Sequence, residues 1–179
     1  MIGIDIIDRS DPKLRLKRES TLRFIKHKSD DYTALTVDIN TLWYSVWCAK
    51  EAIFKVKRIH QPFDPHAIKL RFTVNAEAIY FTSDDIVGQL WISPRKLVSI
   101  AYYEGQAPHW HSFTIQCRNH QQCVREQLHQ YCLSHSLQDY TLAPARLPIL
   151  EHSISNQKIF VSFSHHYQLG AFALIKPFS

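Results

Sequence analysis

Three short segments hold side chains able to do chemistry. The first is Gly3-Ile4-Asp5-Ile6, where a carboxylate sits in mid-strand among isoleucines. Such a carboxylate must be desolvated, partnered or set in a cleft wall, because burying it alone is costly. The second is Trp47-Cys48-Ala49-Lys50-Glu51-Ala52-Ile53-Phe54-Lys55, which places one acid and two lysines along a helical pattern. The third is Ser162-Phe163-Ser164-His165-His166, ahead of an apolar run. Hydroxyls, imidazoles and the free N–H groups of a turn suit a phosphate. Each segment also has a plain structural reading. Asp5 can lie on a sheet face open to water, and Asp8 just beyond it reads as a turn or cap residue. Glu51 and Lys55 at i, i+4 make an ordinary surface pair worth about 0.3–0.5 kcal/mol. The Ser-His run alone is a polar hairpin tip.

The surrounding pattern supplies the elements that must carry these side chains. Ile2 to Ile7 reads as a strand with Ile2, Ile4 and Ile6 on one face and Gly3, Asp5 and Ile7 on the other. Ser20 to Lys28 predicts a short helix, and Asn40 can cap a longer one running to about Arg58. On that helix Leu42, Val46, Ala49, Ile53 and Val56 form one apolar stripe, with Glu51 opposite it and Tyr44, Cys48, Lys55 and Arg58 flanking Glu51. Pro62 and Pro65 end the helical region. Short β-rich pieces follow at Ile68–Val74, Ala78–Thr82, Gln89–Ser93, Leu97–Tyr103 and Ser112–Cys117, separated by Asp84, Gly88, Pro94 and Gly105. Gln121 to Leu133 returns to a helical pattern, with Val124, Leu128, Tyr131 and Cys132 on one face. Ile159–Ser164, a polar turn at His165–Gln168 and Gly170–Ile175 predict a terminal hairpin. The expected class is α+β, with helices packed on a mainly antiparallel sheet in a single domain spanning 1–179. No internal repeat, low-complexity tract or Gly/Ser linker is visible.

Composition narrows the function classes. The chain has 179 residues, 45% of them hydrophobic, which excludes a disordered segment. No apolar run reaches the length of about 18 residues that a membrane span needs. Asp5 falls where a signal peptide needs apolar residues, so a cytoplasmic protein is expected. Cys48, Cys117, Cys123 and Cys132 lack CxxC pairing and are expected as reduced thiols. Cys117, His120 and Cys123, or His129, Cys132 and His135, could converge as a zinc site, although neither set has a common structural-zinc spacing. The net charge of +5 is uneven: residues 9–28 carry +6, leaving the rest at −1. That describes one short basic surface rather than a nucleic-acid-binding coat, and Phe24 is the only aromatic in it. No nucleic-acid or membrane partner is expected.

Taken together and in this order, Gly-Ile-Asp-Ile, Trp-x-x-Lys-Glu-Ala-x-x-Lys and Ser-x-Ser-His resemble the phosphopantetheinyl transferase superfamily, in the arrangement of its holo-acyl-carrier-protein synthase type. The motif-bearing segments are 2–8, 43–57 and 159–175; the material at about 69–147 is extra relative to a minimal synthase. The resemblance implies a phosphopantetheinyl transferase-like fold and transfer of the phosphopantetheine arm of coenzyme A to a carrier-protein serine. By matching position, it implies Asp5 and Glu51 as Mg²⁺ ligands, with Glu51 also a general base. Lys55 would contact the pyrophosphate, Lys50 the nucleotide or its phosphates, and Ser164 and His165 the 3′-phosphate of coenzyme A. It further implies an acidic acyl or peptidyl carrier protein docking on the basic segment 9–28. A homo-oligomer such as a trimer fits the same resemblance, because synthase-type relatives build their sites between subunits. Two alternatives stand beside it: a carrier-binding module without catalysis, and a basic nucleic-acid-binding domain.

Overall fold

The computed structural model describes residues 1–57, 61–75, 78–144 and 148–176. Its architecture is α+β, with two antiparallel five-stranded sheets and one principal helix packed on each. The first sheet contains β1 (Ile2–Asp8), β2 (Arg71–Asn75), β3 (Ala78–Ser83), β4 (Ile86–Ile92) and β5 (Lys96–Tyr103), in the order β1-β5-β4-β3-β2. The second contains β6 (Pro108–Thr114), β7 (Tyr140–Leu142), β8 (Ile149–His152), β9 (Lys158–His166) and β10 (Leu169–Ile175), in the order β6-β10-β9-β8-β7. Helix α1 (Ile39–Lys57) follows β1, and α2 (His120–Ser134) follows β6. Each half is therefore a strand, a helix and a four-strand meander whose last strand returns to pair with the first. The chain repeats one topology twice, although no repeat is legible in its residues. Residues from about 69 to 147 supply β2 to β7 and α2, and so belong to both halves.

Three layers of core follow from this plan. Val46, Ala49, Ile53 and Val56 on α1 pack on Phe72, Phe81, Ile86 and Leu90 of the first sheet. Val124, Leu128 and Cys132 on α2 pack on Ile159, Val161, Phe172 and Leu174 of the second. Between the halves, Ile2, Ile4 and Ile6 join Val98, Ile100, Leu169, Ala171 and Ala173. Each of those three isoleucines is 2% exposed or less; burying one fully is worth about 1.5–3 kcal/mol.

Strand β1 is buried on both faces, so the open sheet face expected around Asp5 is covered, and α1 is what covers it. At Gly3 an added Cβ would lie 1.9 Å from the carbonyl oxygen of Ala52. Only glycine lets strand and helix approach this closely.

Several local expectations change. The α1 cap is Asp38, not Asn40: its carboxylate accepts from the N–H groups of Asn40 and Thr41. The side chain of Asn40 instead accepts from the N–H of Lys17. The end expected at Arg58 lies outside the described residues. The early helix is only a 3-10 turn, Glu19–Phe24. Cys117 and Cys123 are joined in a disulfide rather than reduced, which removes both thiolates from the first zinc alternative. In the second, Cys132 is buried and the His135 ring stacks 3.9 Å from Tyr131. Among the described residues no helix is long and apolar enough to cross a membrane.

Candidate functional site

Because β1 pairs with β5 along one edge only, its other edge presents unpaired N–H and C=O groups that must find partners. Side chains of β9 provide them. Ser162 Oγ accepts from Ile4 N–H at 3.0 Å, Ser164 Oγ from Ile6 N–H at 3.2 Å, and His166 Nδ1 from Asp8 N–H at 3.2 Å. Every second residue of β9 thus faces β1, which is why a polar Ser-x-Ser-x-His run belongs to a strand. The turn expected at His165–Gln168 shrinks accordingly, since His165 and His166 still pair with β10.

The same seam fixes Asp5. Its Oδ1 accepts from Lys55 Nζ at 2.8 Å and from Ser164 Oγ at 2.9 Å. Lys55 also donates to the carbonyl of Ile4 at 2.9 Å. Lys55 therefore pairs with Asp5 across the helix–strand contact, and the surface pair with Glu51 is not formed. Both of these bonds use Oδ1, and the buried Cys48 thiol also lies against the Asp5 carboxylate.

Glu51 stands on α1 one turn before Lys55, away from the apolar stripe, and half-buried. Burial is the main cause that pushes its carboxyl above the ordinary carboxylate range; the charge of Asp5 adds to this, and Lys55 opposes it. Of the two carboxylates, only Asp5 has the Lys55 ammonium in direct contact.

These residues line a cleft of about 540 Å³ between the halves. Asp5, Glu51 and Lys55 come from the first half; Phe163, Ser164, His165 and His166 come from β9. His165 is exposed, with its ring edge-on to His120 at the start of α2, 5.6 Å away. Burial first, then the charges of His120, Lys55 and His166, lower its pKa and favour the neutral imidazole.

The remaining wall takes three cations from the basic segment expected to dock a carrier protein, and its Trp43 and Tyr44 were not anticipated as site residues. Trp43, Tyr44 and Trp47 line it together with Lys13, Arg15 and Lys17. Leu14 anchors this stretch by packing with Ile7, Cys48 and Leu97. Tyr44 donates its hydroxyl to the Arg15 carbonyl at 2.9 Å, and the Lys17 ammonium lies 3.9 Å over the Trp43 ring. The signal was present: Tyr44, Trp47, Glu51 and Lys55 are spaced 3, 4 and 4 residues apart, so they form one helical stripe.

Two expected site residues are placed differently. Lys50 is fully buried and donates to Asp30 Oδ2, Ile25 O and Pro65 O at 2.7–2.9 Å. All three of its N–H groups are used away from the cleft, so it is a structural cation and not a nucleotide contact. Ser164 lines the cleft, but its only hydroxyl proton goes to Asp5, leaving none to donate to a phosphate. Comparison with protein-family models, curated proteins and solved structures finds no match to this chain.

Proposed function

We propose that this cleft transfers the phosphopantetheine arm of coenzyme A to a serine of an acidic acyl or peptidyl carrier protein, releasing adenosine 3′,5′-bisphosphate. The observation that carries the reading is the meeting of Asp5, Glu51 and Lys55 with the Ser164-His165 strand across one cleft. The first three precede the last two by about 110 positions or more in the chain, and they are the ones the three motifs single out. The repeated topology supports the same reading. Synthase-type relatives join two units between subunits, whereas this chain carries two units of one topology, so a complete cleft needs no second copy. The phosphopantetheinyl transferase-like fold is part of this proposal.

The chemistry assigns a role to each group. The carrier serine oxygen forms a bond to the phosphorus bearing the pantetheine arm. The bridging P–O bond breaks, and its electron pair leaves with adenosine 3′,5′-bisphosphate. Glu51 accepts the serine proton. Lys55 has spent two of its three N–H groups on Asp5 and Ile4, and the third is available to the diphosphate. Lys13, Arg15 and Lys17 add positive charge along the wall, while the aromatic side chains give the arm and the base an apolar surface.

The donor set fits Mg²⁺. The Asp5 and Glu51 carboxylates, both lining the cleft, are hard oxygen donors. Among the described residues no group of three His, Cys, Asp or Glu is placed to hold a metal. The other ligands would therefore be phosphate oxygens and water, the arrangement Mg²⁺ prefers. The chemistry such an ion supplies is charge neutralisation on the diphosphate.

The outer part of the basic segment is the proposed docking surface. Arg18, Arg23, Lys26 and Lys28 are exposed there beside Leu16 and Phe24, which are 87% and 58% exposed. Exposed apolar side chains within a basic run suit an acidic amphipathic helix. The test is intact mass spectrometry of a broad panel of apo carrier proteins incubated with the protein, coenzyme A and Mg²⁺. A carrier serine should gain one phosphopantetheine arm, and Glu51→Gln should abolish that gain without unfolding the protein. No mass gain on any carrier would overturn the reading.

A further inference from the structure

The position of Ser164 separates it from the phosphate-binding role that the motif suggests. It is 8% exposed, as is Asp5. Its oxygen accepts from Ile6 N–H at 3.2 Å, and its hydroxyl proton goes to Asp5 Oδ1 at 2.9 Å. Ser162, two residues earlier on the same strand, accepts from Ile4 N–H in the same way at 3.0 Å, yet Asp5 receives its bond from Ser164. The two serines are thus matched in seam geometry and differ in their link to the carboxylate.

We infer that Ser164 is a positioning residue for Asp5: together with Lys55 it holds Oδ1 and so fixes the orientation of the carboxylate toward a divalent cation in the cleft. The inference rests on the transferase reading for its catalytic meaning, but the cation binding it describes can be measured without any transfer reaction. A carboxylate held by two donors on one oxygen loses little orientational freedom on meeting a metal, and removing such an outer partner weakens metal binding by about 10–100-fold.

Mn²⁺ binding to the intact protein, followed by water-proton relaxation, is the direct test. Ser164→Ala should weaken Mn²⁺ binding by at least about tenfold, Ser164→Thr should restore much of it, and Ser162→Ala should leave it unchanged. With a carrier substrate, Ser164→Ala should raise the Mg²⁺ requirement equally with coenzyme A and with 3′-dephospho-coenzyme A. Equal Mn²⁺ affinities for the Ser162 and Ser164 variants would overturn the inference, as would absence of Mn²⁺ binding by the unaltered protein. A Ser164→Ala defect confined to coenzyme A bearing its 3′-phosphate would do so too, by making Ser164 a phosphate contact. If Mn²⁺ binds as expected but no carrier is modified, the transferase reading fails and the positioning role stands. Circular dichroism and a melting curve identify a variant that has lost its fold; Ser164→Thr then carries the comparison with Ser162→Ala.

Discussion

Lys50 Nζ and Asp30 Oδ2 meet at 2.7 Å with both side chains wholly shielded from solvent. Burial pulls the Lys50 pKa down, and the hydrogen bond and charge of Asp30 oppose that. Asp30 also accepts from Leu70 N–H, His27 N–H and the Tyr32 hydroxyl. The pair therefore ties α1 to the end of the basic segment and to the approach to β2. Removing one partner leaves a buried charge without compensation, so Asp30→Ala is expected to cost about 3–5 kcal/mol of stability. Denaturant unfolding measures this. Lys50→Met should cost less at the cleft than in the fold: its KM for coenzyme A should match the unaltered protein under conditions where both are folded.

The contact of Gly3 with the Ala52 carbonyl sets the distance between β1 and α1, and hence between Asp5 and the Glu51–Lys55 face. Gly3→Ala would place a methyl group 1.9 Å from that oxygen and 3.0 Å from Lys55 Cβ. The helix would have to move away from the strand. Overpacking of this kind costs about 1–3 kcal/mol, and the clash is with backbone, which places the change at the upper end. Activity should fall further than stability explains, because the Lys55–Asp5 bond spans the displaced contact. A kcat measured well below the variant's Tm separates the two effects.

Much of this arrangement is legible in the residues, and what is not has identifiable physical causes. The alternation Ile2, Ile4, Ile6 marks one face of β1 correctly, and the α1 stripe names Val46, Ala49, Ile53 and Val56 as core. Lys50 escapes because its charge masks its place: it is four residues after Val46 and three before Ile53, squarely beside the stripe. Its burial depends on Asp30, twenty residues away, which no local pattern connects to it. Ser162, Ser164 and His166 look like a hairpin tip because their partners lie on β1, about 158 residues earlier. Strands β7 and β8 are three and four residues long, too short for alternation to register. The repeated topology is hidden by unequal helices of 19 and 15 residues and by unrelated side chains. Motif order, by contrast, singles out Asp5, Glu51, Lys55 and His165, which line one cleft.

The two ends of the basic segment should separate in kinetics. Arg15 lines the cleft, whereas Arg18 is exposed outside its lining. Arg15→Glu is expected to raise KM for coenzyme A. Arg18→Glu should raise KM for the carrier, mainly by slowing association, and its effect should fade as salt rises. Stopped-flow association with a labelled carrier, at low and at physiological ionic strength, distinguishes these outcomes. Equal effects of both changes on both substrates would contradict the division of the segment.

Glu51 links pH, stability and catalysis. Its pKa is raised in the folded protein by burial first and by the charge of Asp5 second. Between the ordinary carboxylate pKa and the raised one, the folded state holds more protons than the unfolded state, so this group's contribution falls as pH rises through that window. Above it, the folded protein carries a desolvated carboxylate that the unfolded chain would solvate freely. Glu51→Gln removes that cost, and its melting temperature is expected to exceed that of the unaltered protein at neutral pH, with the difference shrinking as pH falls below the ordinary carboxylate range. Added Mg²⁺ should narrow the gap at neutral pH by stabilising only the protein that retains Glu51. Because a cation held by Glu51 favours its ionised form, the acid limb of the rate should move to lower pH as Mg²⁺ is raised. Melting curves for both proteins across pH, with and without Mg²⁺, measure the linkage. A Glu51→Gln variant less stable at neutral pH would show instead that the carboxylate is held by favourable partners and is not poised for a cation.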